Sequence, residues 1–310
     1  MEVILHLGIH KTASTFLQKE VFPHIKNSLF LNREKSKPFK DYILYTDDFL
    51  FSADTAIGLF KQLIEDHAES DSSSQVIISD EEYYGNPFWG SIDRKRNIDR
   101  LLQTFDKNIK VLLVLRNQVG LFSSLYNQYV KTGGTATLHQ FYTYKKYPLI
   151  VSEDYFMFDR YIKYISSRVS PAALNVCLYE DFLANREVFI RAIFRFLGRE
   201  DVWIELRLEK TTNSSIPANF LPLMRFFNML TRSPKEPFLL VSIRAHKIAR
   251  KLLTAVRFGR TLGKKTHLDG NQSFFREIGA SNEELDKFMP SLDLELKGYP
   301  VLKVDKLRHD

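Results

Sequence analysis

Along the first two thirds of the chain, short apolar runs alternate with longer stretches whose apolar residues recur at helical spacing. The runs Val3–Leu7, Gln75–Ser79, Lys110–Leu115 and Leu174–Leu178 lack the polar alternation of a half-exposed sheet. Each therefore predicts a strand buried on both faces. Between them, Phe16–Ile25, Asp54–Glu69, Arg94–Asp106, Gln118–Lys131, Asp154–Arg168 and Arg186–Leu197 read as helices, the last stopped by Gly198. Asn32 to Lys40 reads as an irregular basic stretch, and Asp71–Ser74 as a polar break. Strands separated by helices predict a three-layer α/β fold, a central parallel sheet flanked by helices on both faces. Right-handed crossovers then bring the carboxyl ends of all its strands to one edge. From Lys210 onward, Pro217, Pro222, Pro234 and Pro237 interrupt the pattern. The expected organisation is a core over residues 1–215 and a largely helical extension, 216–310, packed on it and not independent.

Composition adds a direction. The chain has 310 residues, 44% of them hydrophobic, which is enough for one large domain and too many for a disordered chain. A formal net charge of +7 favours anionic partners. Neither zinc-type Cys/His spacing nor an RNA-binding aromatic signature accompanies that charge, so nucleic acid is not expected. The single cysteine, Cys177, lies in an apolar run and reads as a small buried hydrophobe rather than a nucleophile. The first strand follows Glu2 directly, leaving no room for a signal peptide, and no apolar stretch reaches the ~20 residues of a membrane span. The expectation is a soluble cytoplasmic protein. The basic residues across 244–265 read as a helix's solvated face or as a peripheral contact with the inner membrane face or another anionic surface.

The chemistry concentrates where the first strand ends, at Gly8-Ile9-His10-Lys11-Thr12-Ala13-Ser14-Thr15. A glycine, a lysine and hydroxyls between a strand and a helix suit a phosphate-type anion, through backbone N–H groups, helix dipole and ammonium charge. An ordinary Ser/Thr cap is the plain alternative, and the lysine inside the turn tips the balance. The loop is not a Walker sequence. Only Ile9 and His10 separate Gly8 from Lys11, and no glycine precedes the lysine. It is too short to wrap a triphosphate with magnesium. A second anchor is Arg116, at the carboxyl end of the strand Lys110–Leu115, with Ser124 two helical turns further on. A planar fork and a short hydroxyl donor suit a second phosphate. Together the two anchors imply a ligand with two separate phosphate-type groups.

In these residues the chain resembles sulfotransferases that use 3′-phosphoadenosine 5′-phosphosulfate (PAPS). Lys11-Thr12-Ala13-Ser14-Thr15 stands where the family carries its Lys-Thr-Gly-Thr-Thr-like loop, with Ala13 in place of the usual glycine. Arg116 and Ser124 match the family's 3′-phosphate site in type and spacing. Tyr179-Glu180-Asp181-Phe182 and Phe196-Leu197-Gly198 resemble segments common in bacterial-type members. The resemblance spans residues 4 to about 215, and the last third of the chain has no counterpart. It implies a P-loop-like fold, PAPS as co-substrate with no metal required, and a nucleotide contact from Asn213.

Sulfuryl transfer to an alcohol needs neutralisation of the bridging oxygen, a base for the acceptor hydroxyl, and in-line geometry. Lys11, Thr12 and the helix start would supply the first. For the base, the family resemblance favours Glu81, at the end of the second predicted strand, over Glu82, Asp80 and His10. His10 would act as a base, touch the acceptor, or only pack beside the loop. Tyr83, Tyr84, Phe88 and Trp89 would stack on sugar rings or form a local core, and the acceptor expectation is a carbohydrate or glycolipid. Two other classes remain open: a P-loop ATPase or kinase, imitated by the acidic end of Ile77-Ile78-Ser79-Asp80-Glu81, and a non-catalytic protein binding anionic glycan or membrane.

Overall fold

The computed structural model describes residues 1–68, 74–106, 109–143, 150–199, 220–229 and 272–302. Asn213, the basic segment 244–265 and the side chain of Trp89 lie outside the described residues. Five parallel strands form one sheet in the order β2-β3-β1-β4-β5: β1 (Glu2–Gly8), β2 (Ser28–Leu31), β3 (Gln75–Asp80), β4 (Ile109–Leu115) and β5 (Leu174–Leu178). Helices cover both faces. Residues alternate between two apolar clusters, so Leu5, Ile78 and Leu113 face one layer while Ile4, Ile77 and Leu112 face the other. That double burial is why the strands read as unbroken apolar runs.

Helices α3 (Ala53–His67), α4 (Arg94–Phe105), α5 (Gln118–Lys131) and α9 (Arg186–Leu197) stand where helical periodicity puts them. The first predicted helix does not form as one piece. It consists of α1 (Ser14–Phe16), a π-helical turn at Leu17–Val21 and a 3-10 turn at Phe22–His24 that contains Pro23. Proline lacks the N–H that a regular helix needs there. The stretch expected to be irregular is also structured. The edge strand β2 precedes it, and α2 (Lys37–Tyr45) begins inside it. The region 154–168 divides into a 3-10 turn, Glu153–Phe156, and α7 (Phe158–Ser166). Pattern reading also passes over α6 (Leu138–Thr143) and α8 (Tyr179–Ala184).

Beyond the core, α10 (Leu221–Met229) and α11 (Gln272–Phe288) are described. Met224, Phe274, Ile278 and Leu285 belong to the same apolar cluster as the sheet, as do Leu292, Leu294 and Tyr299 after α11. No helix among the described residues is long and apolar enough to cross a membrane. Cys177 is half-buried, and burial pushes its thiol up to about 12, so the thiolate is scarce at neutral pH.

A candidate active site at the carboxyl edge of the sheet

Strand order alternates around β1, whose neighbours β3 and β4 lie on its two sides. Ligands in open α/β sheets bind at the carboxyl edge beside such a reversal. Here the edge opens into a cleft of about 360 Å³. The loop Lys11–Thr15 lines it from β1, Glu81 from the end of β3, and Arg116 and Ser124 from β4 and α5.

The loop turns by strained backbone. Lys11 and Ala13 both take left-handed φ angles, 69° and 64°, and Ser14 opens α1 directly after Ala13. Such a conformation costs a non-glycine residue about 1–2 kcal/mol, and it aims successive N–H groups into one concavity. Glycine adopts such a left-handed backbone without the strain that Ala13 bears. Gly8 serves otherwise. It is the last residue of β1, and an added Cβ would meet Ser14 Oγ at 2.5 Å, so its lack of a side chain makes room for that hydroxyl. The Thr12 hydroxyl is spent inside the loop, donating to the Ile9 carbonyl at 2.6 Å.

Three groups in the cleft await a partner. Ser14 Oγ is buried without a hydrogen bond, an arrangement that is costly unless a ligand completes it. Among the described residues, neither the Lys11 ammonium nor the Ser124 hydroxyl has a hydrogen-bond or ion-pair partner. Burial lowers the Lys11 pKa, nearby Glu81 opposes that, and Arg116 adds to it. An anionic group fits this set.

Arg116 closes the cleft against the loop. Its Nη1 donates to the Lys11 carbonyl at 2.9 Å, and its guanidinium lies 4.8 Å from the centre of the Tyr179 ring. It also lies beside Gly120, where an added Cβ would come within 3.4 Å of Nε. The guanidinium thus packs against a ring and a bare helix turn, and such restraint lowers the entropy cost of gripping an anion.

At the end of β3 three consecutive carboxylates have separate fates. Asp80 is fully buried, accepting from Arg33 Nε and Nη2 at 3.0 and 3.1 Å, with Lys40 Nζ 3.2 Å away. It also accepts from the Glu82 N–H at 2.9 Å, fixing the 3-10 turn Glu81–Tyr84. Glu82 takes Lys40 Nζ at 2.9 Å and the Tyr45 hydroxyl at 3.2 Å. Glu81 has no such partner among the described residues and lines the cleft. Burial raises its pKa, against the pull of Arg33 and Lys11. Arg33 and Lys40, read in the sequence as part of a basic stretch, are internal partners of this acidic turn.

His10 does not line the cleft. It is buried, its Nδ1 is 3.2 Å from the Tyr155 hydroxyl, and burial lowers its pKa to about 4 with Lys11 adding to the effect. A neutral imidazole packed beside the loop is what that geometry holds. Tyr83 and Tyr84 are fully buried, so they form a local core and present no stacking platform; Phe88 packs on the same core. The sequence reading assigned no role to Arg33, Lys40, Phe182, Leu183 or Arg186, although the last three line the cleft. The only sequence signal for the first two was their place in the basic stretch 32–40.

No family model matches the chain, and no curated protein matches it. Among solved structures it is similar to a sulfotransferase from Alicyclobacillus acidocaldarius, at 15% identity and TM-score 0.47 over 68% of this chain and 87% of that one. The sulfotransferase domain from the curacin biosynthetic pathway is similar at 14% identity and TM-score 0.44, over 81% and 97%. Retinol dehydratase in complex with androsterone and inactive cofactor PAP is similar at 12% identity and TM-score 0.32, over 97% and 82%. At these values the likenesses carry no chemistry, which rests on the cleft itself.

Proposed function

We propose that the chain is a PAPS-dependent sulfotransferase that moves a sulfuryl group to an acceptor hydroxyl, with Glu81 as base. The observation that carries this reading is one cleft lined both by the Lys11 loop and by Arg116 with Ser124, with an unpaired glutamate at its edge. Two anion sites in one cleft suit a nucleotide with phosphate-type groups at both ends of its ribose. Glu81 would accept the acceptor's proton as its oxygen attacks sulfur and the bond from sulfur to the bridging oxygen breaks. That oxygen leaves as part of a phosphate, and its growing charge is met by Lys11 and the loop N–H groups.

The reading of the acceptor is a carbohydrate or glycolipid hydroxyl. It is supported by the strand-end glutamate Glu81 lining the cleft. Against a kinase or ATPase stands Asp80, the residue that would hold magnesium, which is buried and saturated by Arg33 and Lys40.

Calorimetry with adenosine 3′,5′-bisphosphate, set beside ATP with magnesium, tests the donor. The expected result is binding of the bisphosphate that falls at least tenfold in Lys11→Ala, since a charge-assisted contact to phosphate is lost. Tight ATP binding with no response to the bisphosphate would overturn the reading. Transfer of labelled sulfate from PAPS to a panel of sugars and glycolipids then tests the acceptor.

A further inference from the structure

A second cleft, of about 400 Å³, opens where α4 begins and shares no lining residue with the first. Three cations line it, Arg94, Lys95 and Arg160, against one carboxylate, Asp154. The first turn of α4 reads Arg94-Lys95-Arg96, holds no acidic residue, and receives no side-chain hydrogen bond from Asp93 at its cap. Positive charge gathered at the positive end of a helix is unfavourable until an anion joins it. Lys95 and Arg160 have partners, Asp99 at 2.6 Å and Asp154 at 2.9 Å, but both basic side chains are largely exposed and such pairs exchange at little cost. Arg94 is different. It is half-buried, its Nη1 donates to the Tyr84 hydroxyl at 3.2 Å, and its Nη2 donates to the Asp154 carbonyl at 2.7 Å. Among the described residues no carboxylate pairs with it. Tyr161, only 5% exposed, also lines the cleft, and its hydroxyl has no hydrogen-bond partner among the described residues.

We propose that this cleft binds a sugar-borne oxyanion, a sulfate ester or a carboxylate on a polyhydroxyl ring. Arg94 grips the anion with its remaining N–H groups, and Lys95 and Arg160 swing onto it from the rim. Around that anchor the wall is mixed. Ser91, Ser152 and Asp154 offer hydroxyls and a carboxylate to the ring hydroxyls, one of which supplies the partner that Tyr161 lacks. Ile92, 72% exposed, and the tyrosine rings of Tyr161 and Tyr164 meet the C–H edge of the sugar. The volume is that of a small-molecule site, and a bare sulfate would leave most of it empty. The assignment stands apart from the donor reading, because it draws on no residue of the Lys11 cleft.

Calorimetry on the full chain tests this with glucose 6-sulfate and glucuronate as probes, beside glucose and inorganic sulfate. At least one acidic sugar should bind about tenfold or more tighter than glucose and than sulfate, and the better of the two identifies the anion. Arg94→Gln should weaken that binding by about tenfold or more, since a charge-assisted contact is lost. Lys95→Gln combined with Arg160→Gln alters two exposed side chains, so it keeps the test valid should Arg94→Gln fail to fold; a loss of about fivefold is expected. Lys11→Ala should leave sugar binding within about twofold, the two clefts being separate. Binding of neither acidic sugar would overturn the proposal, as would glucose or sulfate binding as tightly. Unchanged affinity in the folded variants, or a loss in Lys11→Ala equal to theirs, would put the sugar elsewhere and overturn it too. A wild-type chain that binds the acidic sugar but not adenosine 3′,5′-bisphosphate would overturn the donor reading and leave this site standing.

Discussion

At the end of β3 the geometry separates one carboxyl from its neighbours by pairing the neighbours. Asp80 and Glu82 are tied to Arg33 and Lys40, which leaves Glu81 as the carboxyl that faces the cleft with its pKa raised by burial. A raised pKa strengthens a carboxylate as a base. Glu81→Gln should therefore cut turnover by about a hundredfold or more while bisphosphate binding stays within about twofold, as single-turnover transfer and calorimetry would show. Wild-type turnover in that variant would move the base elsewhere. Ala13 makes a second residue-scale test. Its φ of 64° suits glycine, so Ala13→Gly should raise stability by about 0.5–1 kcal/mol, read as a higher urea midpoint at unchanged slope. A lower midpoint would mean that the alanine methyl packs for more than the strain it causes. The lysine, the hydroxyls and the arginine of this site were legible as residue types at a meaningful spacing. Which acid stays free was not, because that depends on Arg33 and Lys40 arriving from a distant part of the chain.

Among the elements, the segment after α11 links the far end of the chain to the site. The Tyr299 hydroxyl donates to Glu180 Oε2 at 3.0 Å, while Glu180 Oε1 accepts from the Asn117 N–H at 3.1 Å. Asn117 Nδ2 also donates to the Gly298 carbonyl, and Lys297 pairs with Asp181. Asn117 follows Arg116 and caps α5, and Glu180 follows Tyr179, so this strap holds the junctions that carry the second anchor. Tyr299 is buried, and removing its hydroxyl strands one lone-pair site of a carboxylate. Tyr299→Phe should cost about 1–3 kcal/mol in urea unfolding, a hydrogen bond to a charged group being at stake. A change under about 0.3 kcal/mol would show that the strap contributes nothing to stability. Pattern reading located the long helices well, since α5 and α9 bury one face and show it in their spacing. It failed on β2, α6 and α8, which span 4, 6 and 6 residues, too few for a period to declare itself.

At the scale of the whole molecule, two neutral histidines make the fold acid-sensitive. Burial lowers His6 from 6.5 to about 3, and His10 from 6.5 to about 4. Between those values and 6.5 the unfolded chain binds protons that the folded chain refuses. The stability they contribute is complete above pH 6.5 and is lost as pH falls toward 4. Each contributes a slope of up to about 1.4 kcal/mol per pH unit. Glu81 works in the opposite sense: its raised pKa adds stability below 4.5 that is lost as pH rises. Two histidines outweigh one carboxyl, so stability measured by chemical denaturation should fall between pH 7 and pH 5, and His10→Gln should roughly halve that slope. A flat profile would mean that the imidazoles are hydrated in the folded chain. The sheet, its parallel sense and the lysine-bearing first turn were decided by local pattern, because burial on two faces and a strand-turn-helix junction leave periodic and short-range marks. The pairing of Asp80 and Glu82, the burial of Tyr83 and Tyr84, and the placing of Arg186 over two phenylalanine rings were decided only when the chain closed. Each of those outcomes depends on contacts between segments far apart in sequence, and such contacts leave no period behind.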